Sequence, residues 1–295
     1  MILVTGSTGY IGKPFTAELL QRDREVKVLT REPALARKLF PKATVHRGDI
    51  SDKKSIKRAM KDVTEVVHLA GLVDYRNRER IFRVNYQGTK NLLECCDNID
   101  KLVFSSSVTV FGNVVGKADD KTPLRPTGPY GKSKAMAEKL IVNSGIKSAM
   151  LRIAPVYGEG SPWFSRLLKM LSWGVPCPKT DSNVQLVHIS DATNAILLSL
   201  DRGSGAFIIA DEKPAKLMHV TEKLVGLLGK RYWTVPNWMI TGSAKIVGMG
   251  PLADILLENR VYDISNSKIA LGFRPKASMD LELKRMVDWY LAHRQ

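Results

Sequence analysis

The first thirteen residues, Met1 to Lys13 (MILVTGSTGYIGK), constrain this chain more than any other stretch. Met1 to Val4 form a short apolar run, which reads as a buried strand. Gly6, Gly9 and Gly12 follow at regular spacing, and an apolar helical pattern of Ile11, Phe15, Leu19 and Leu20 begins inside them. A strand, a glycine turn and a helix N-terminus in that order build an anion site. The turn's N–H groups and the helix dipole face a phosphate, and glycine removes the Cβ that would hold it off. Pro14 falls in the first helical turn, where a missing N–H costs least. Placed after a strand at the head of the chain, the triplet favours a dinucleotide-binding unit over an ordinary tight turn.

The same alternation continues to about residue 155 and predicts a doubly wound α/β fold around a parallel sheet. Strands are expected at Glu25–Thr30, Ala43–Arg47, Thr64–Ala70, Lys101–Ser105 and Ser148–Ala154. Helices are expected at Ala34–Phe40, Asp52–Met60, about Arg78–Cys96 and about Tyr130–Asn143. Val187–Leu200 returns to strand then helix, and Ala206–Ala210 reads as a last sheet strand. Residues 1–158 plus 186–212 then form a dinucleotide-binding domain. Residues 159–185, with Pro162, Pro176 and Pro178, join 213–295 as a smaller, discontinuous substrate lobe, with helices near 218–229 and 279–293. Trp233 to Leu257 is rich in Trp, Met, Ile and Leu and broken by Gly242, Gly248, Gly250 and Pro251. It reads as an apolar substrate lid, a membrane-surface contact, or a lobe packed on the first domain.

Charge and cysteine content narrow the class. Lys and Arg number 45 against 29 Asp and Glu, a formal charge of +16. That favours a phosphorylated cofactor, an acidic lipid surface or nucleic acid, unless it is simply a solvated basic surface. No basic block interleaved with aromatics occurs, so nucleic acid is disfavoured. No stretch of about 20 residues is apolar enough to span a bilayer, and with Met1 opening the first strand no signal peptide is expected. Cys95, Cys96 and Cys177 are odd in number and lack metal-ligand spacing. They point to small core side chains in a reducing cytoplasm, with no metal site.

Further pieces fall in order along the chain: Gly48-Asp49-Ile50, His68-Leu69-Ala70-Gly71, Asn85 with Gly88-Thr89, Ser105-Ser106-Ser107 and Tyr130-Gly131-Lys132-Ser133-Lys134. Leu271-Gly272-Phe273-Arg274-Pro275 and Trp289-Tyr290 complete the set. Together they closely resemble the extended short-chain dehydrogenase/reductases, the NAD-dependent epimerase/dehydratase family. The resemblance implies a Rossmann sheet, a nicotinamide dinucleotide cofactor and an acid/base tyrosine. Tyr130 and Lys134 are four apart on one helix face. A phenol, with pKa about 10, is a poor base near neutrality, and a neighbouring ammonium favours its ionised form. The resemblance further implies that Ser107 hydrogen-bonds the same substrate oxygen as Tyr130 and that Lys134 also holds the nicotinamide ribose. Thr109 is either an auxiliary polar contact or a satisfied loop hydroxyl. By position, Gly6, Gly9, Tyr10, Ile11 and Gly12 would meet the pyrophosphate, and Asp49 and Ile50 the adenine. Ala70 and Gly71 would pass beneath the phosphates, and Pro155 and Val156 would meet the carboxamide. A homodimer through the helices near 78–97 and 130–143 is expected on the same ground.

The end of the second strand bears on NADP(H) against NAD(H). An acid there would accept from the adenosine ribose hydroxyls, but Thr30 and Arg31 stand in its place. A guanidinium pairs with a 2′-phosphate, so NADP(H) is the expected cofactor, with NAD(H) possible. Sugar-nucleotide epimerases of the family carry an arginine where this chain has Val184, and a later Arg-Pro-Gly-Asp segment has no counterpart. Tyr232 to Trp238 instead looks like the hydroxysteroid dehydrogenase and dihydroflavonol reductase branch. The expected substrate is therefore a hydroxyl or ketone on a largely apolar small molecule. A nucleotide-sugar 4-epimerase, with Lys179 or Arg166 replacing the missing arginine, is the second reading. A non-catalytic nucleic-acid-binding relative is the third.

Overall fold

Seven parallel strands run through the centre of the computed structural model, which describes residues 1–73, 77–114, 116–239 and 259–294. They are β1 (Ile2–Thr5), β2 (Val26–Thr30), β3 (Thr44–Arg47), β4 (Glu65–His68), β5 (Lys101–Ser107), β6 (Ser148–Ile153) and β7 (Gly205–Ile209). Their order across the sheet is β3-β2-β1-β4-β5-β6-β7, every neighbouring pair parallel. The winding direction reverses between β1 and β4, and the crevice beyond their C-terminal ends is where such sheets bind ligands. The doubly wound α/β class expected from the alternation is the one observed.

Helices cover both faces: α1 (Gly12–Gln21), α2 (Pro33–Leu39), α3 (Lys53–Ala59), α4 (Arg78–Phe82), α5 (Gly88–Leu93), α6 (Pro129–Asn143) and α8 (Ile189–Asp201). Because side chains alternate along a strand, β1 serves two cores. Ile2 and Val4 join Phe15 and Leu19 in one, and Leu3 joins Ile56, Leu92 and Ile141 in the other. A strand covered on both faces can be apolar throughout, and all four β1 residues are buried. A third core lies apart, where α7 (Pro162–Ser172), α9 (Leu217–Leu227) and α10 (Met279–His293) meet through Phe164, Leu168, Leu224, Leu283 and Val287.

One local feature differs from the expectation. The helix expected over Arg78–Cys96 ends at Leu93 and is widened over Arg83–Gln87 into a π-helical turn. Buried Asn85 lies within that turn, and Gly88 packs against Ile50. The proline-bearing segment after Gly158 contains α7, with Pro162 at the start of the helix just after Ser161. Proline interrupts a helix interior but suits its first position. Of the apolar stretch from Trp233 to Leu257, Thr234–Pro236 pairs with Cys177–Lys179. Gly242, Gly248, Gly250 and Pro251 lie outside the described residues.

Candidate active site

The glycine turn is shaped to receive a phosphate. Gly6 has φ +75°, a left-handed conformation, and its N-terminal neighbour β1 brings it against Ala70. A Cβ on Gly12 would stand 2.0 Å from the Gly6 carbonyl oxygen. The α1 N-terminus has no side-chain cap and no acid in its first turn. Lys13 N donates to the Gly9 carbonyl and Pro14 has no N–H, which leaves the Ile11 and Gly12 N–H groups to face a phosphate. Ser7 Oγ and Thr16 Oγ1, on either side, are buried with no hydrogen-bond partner. A cleft of about 220 Å³ opens over the turn. Gly6, Gly9, Ala70 and Gly71 line it at one end and Arg31, Asp49 and Ile50 at the other. These features fit a dinucleotide. Gly12 packs against the Gly6 carbonyl, and Ile11 is the residue before α1. Tyr10 turns its hydroxyl toward Gly158, where burial pushes the phenol's pKa up. Val156 pairs with Val187, and the Pro155 carbonyl accepts from Val187 N at 3.1 Å.

Beside this turn, β5 and α6 bring the serine, tyrosine and lysine to one end of the sheet. The strand stops at Ser107, and Val108–Val110 form a 3₁₀ turn. Thr109 then folds back, its N–H and hydroxyl both donating to Ser107 Oγ, at 3.2 and 3.0 Å. With both lone pairs of that oxygen taken, the Ser107 hydroxyl proton is left to donate outward. Thr109 is thus the satisfied loop hydroxyl of the two roles open to it. Gly131 lets the start of α6 lie on the Thr109 carbonyl, since a Cβ there would be 2.4 Å from that oxygen. Half-buried Tyr130 precedes it, and Lys134 is one turn further on the same face. Lys134 Nζ donates to the Ser105 carbonyl at 2.7 Å, lies 4.7 Å from the Phe104 ring centre and adjoins Gly71 in the cleft wall.

A chain of hydrogen bonds missed in the sequence locks this end of the sheet. Ala70 N donates to Thr5 Oγ1, which is 2.7 Å from His68 Nδ1, and His68 Nε2 is 3.0 Å from Thr89 Oγ1. Thr89 spends its own proton on the Asn85 carbonyl. The chain therefore runs in one direction, Thr5 donating to Nδ1 and Nε2–H donating to Thr89. Burial and the nearby Lys134 charge lower the His68 pKa to about 3, so the ring is a neutral strut. Asn85 pins the Leu72 backbone from both sides and donates to Ser133 Oγ, which donates to the Tyr130 carbonyl. The signal was present in His68-Leu69-Ala70-Gly71 and in Asn85 with Thr89, but nothing local says they meet.

The profile of the NAD dependent epimerase/dehydratase family matches residues 2–210. The chain belongs to that family. A UDP-glucose 4-epimerase of Vibrio cholerae is 29% identical over 98% of this chain and 95% of its own length. A 3-beta-hydroxysteroid dehydrogenase of Mycolicibacterium neoaurum is 23% identical over 98% and 91%. Among solved structures, the UDP-glucose 4-epimerase of Thermus thermophilus in complex with NAD superposes with a TM-score of 0.81 at 24% identity, covering 99% of each chain.

In this member of the family the end of the cleft at Asp49 and Ile50 is rich in arginine. Arg31 Nη1 lies 3.9 Å from Asp49 Oδ2, and Arg80 lines the same space. Burial alone would raise the Asp49 carboxyl. Hydrogen bonds from Ser51 N and Oγ, with the Arg31 and Arg83 charges, hold it below the ordinary carboxylate range. In the smaller lobe, Val184 packs on the third core. Buried Gln185 donates to the Asp211 carbonyl and accepts from Tyr262 N. Arg166 and Lys179 are exposed.

Lys134 supplies a pH test. Burial lowers its pKa to about 8, against the upward pull of Glu138 one turn on. The unfolded chain therefore holds a proton that the folded one lacks between about pH 8 and about 10.4, so stability rises with pH across that window. Urea midpoints of wild type and Lys134→Met, measured without cofactor, should show wild type gaining on the variant over that range. A constant difference would place the ammonium in water.

Proposed function

We propose that this protein is an oxidoreductase that uses NADP(H) in preference to NAD(H) and acts on a hydroxyl or ketone of a largely apolar small molecule. The observation that carries the reading is the Ser107 hydroxyl, its lone pairs filled by Thr109, at the same sheet end as Tyr130, Lys134 and the glycine turn. Gly6, Gly9, Gly12 and the start of α1 would hold the pyrophosphate, and Ala70 and Gly71 the floor beneath it. The bound nicotinamide supplies a site that gives or takes a hydride. Ser107 donates to the substrate oxygen and fixes it. Tyr130 exchanges a proton with that oxygen, and the Lys134 ammonium favours the phenolate that accepts it. We assign residues 1–158 and 186–212 to cofactor binding and 159–185 with 213–295 to the substrate.

Arg31 carries the cofactor preference, with Arg80 and Arg83 enlarging the positive field around Asp49. A 2′-phosphate would pair with a guanidinium that otherwise has a carboxylate 3.9 Å away. Titrating the protein with NADPH and NADH should give tighter binding of NADPH, and Arg31→Ala should erase about tenfold or more of that preference. NADH binding better, unchanged in Arg31→Ala, would reject the assignment. The Vibrio relative favours a second reading, a nucleotide-sugar 4-epimerase. Val184, in place of a cation for the diphosphate, opposes it. Stoichiometric consumption of NADPH with a ketone marks the reductase; cofactor unchanged through turnover marks the epimerase.

A further inference from the structure

We infer that the outer face of the lobe built on α7 and α9 docks onto an anionic phospholipid bilayer. Two segments make this face, residues 162–180 and 228–239. They contain Arg166, Lys169, Lys179, Lys230 and Arg231 and no aspartate or glutamate. All five cations are exposed. The segments are stitched together. Cys177–Lys179 pairs in parallel with Thr234–Pro236, Cys177 N donates to the Trp233 carbonyl at 3.1 Å, and Trp233 Nε1 donates to the Gly174 carbonyl at 3.1 Å.

Tryptophan is exposed on this basic ground. Trp173 is 71% exposed, Trp238 72% and Trp233 50%, with Met239 beside them at 44%. Arg166, Lys169 and Trp173 follow at helical spacing along one stripe of α7 and its cap, and Lys169 Nζ lies 5.3 Å from the Trp173 ring centre. The opposite side of the helix, with Phe164, Leu168 and Leu171, is in the lobe's core. An indole has an apolar body and one N–H, which suits the depth of lipid headgroups. Lysine and arginine around it meet the phosphates while their stems lie on hydrocarbon. Single-stranded nucleic acid also takes aromatics and cations. Met239, which neither stacks on a base nor hydrogen-bonds to one, favours the bilayer.

The test needs neither cofactor nor turnover, so its failure leaves the oxidoreductase reading intact. Full-length protein is sedimented with vesicles of phosphatidylcholine alone and of phosphatidylcholine with about one-third phosphatidylserine. Binding is expected to the anionic vesicles only, weakening as salt shortens the Debye length. Lys169→Gln and Arg231→Gln should each lower the partition coefficient about fivefold. Trp173→Ala and Trp238→Ala should lower it again, with unchanged melting curves showing that all four variants are folded. Absence of binding to anionic vesicles, or equal binding by the folded variants, would overturn the proposal. So would tighter binding to a single-stranded oligonucleotide, or a concentration-dependent dimer that Trp173→Ala dissolves.

Discussion

Tyr130→Phe is expected to lower kcat by about 10²–10⁴-fold while leaving dinucleotide affinity almost unchanged. The substitution removes one oxygen and keeps the ring, so the packing of half-buried Tyr130 at the start of α6 is retained. What is lost is the only part of the side chain that can carry a proton. Among the described residues, neither His68 nor Ser107 takes over. His68 is neutral, and both its nitrogens are engaged by Thr5 and Thr89. Ser107 has its lone pairs filled and can donate but not readily accept. Ser107→Ala should therefore cost less than Tyr130→Phe, because it removes one orienting hydrogen bond and leaves the proton carrier in place. Single-turnover measurement of cofactor absorbance separates the two, since binding and chemistry are read in one trace. Turnover by Tyr130→Phe at the wild-type rate would remove the oxidoreductase reading and return attention to a binding role.

How far the sequence reached follows from how local each signal is. The glycine turn was legible because strand, turn and helix start occupy one continuous stretch, and its geometry is set within it. The Tyr130–Lys134 relation was legible because helical periodicity alone puts both on one face. The His68 strut was not, because Thr5 and His68 are 63 residues apart and meet only through the pairing of β1 with β4. Thr109 was left between two roles because its direction depends on whether β5 continues, and the strand stops two residues earlier. The π-helical turn around Asn85 was missed for a similar reason. Its apolar spacing is that of an ordinary helix, and the widening accompanies contacts of Asn85 with Leu72 and Ser133. The helix α7 was not among the expected ones, although a proline one position after a cap suits a helix start, as Pro162 does after Ser161.

Gly12→Ala is expected to weaken dinucleotide binding at least about 100-fold and to destabilise the fold by about 1–3 kcal/mol. The new methyl carbon would stand 2.0 Å from Gly6 O, 2.8 Å from Gly6 C and 2.9 Å from Ser7 Cα. All three are backbone atoms, so no rotamer change relieves the clash and the turn itself must open. Opening is resisted on its far side, where Gly6 already lies against Ala70. A displaced turn withdraws N–H groups from a phosphate, and two hydrogen bonds to a charged group, at about 1.5–3 kcal/mol each, account for the predicted loss. Gly226→Ala is the matched control. It adds the same methyl inside α9, with no atom within 4 Å, and should stabilise by up to about 1 kcal/mol through helix propensity. Urea midpoints and cofactor titrations on both variants decide the matter. If Gly12→Ala bound the dinucleotide as tightly as wild type, the phosphate would lie elsewhere, and the cleft over β1 and β4 would have to be assigned to a different ligand.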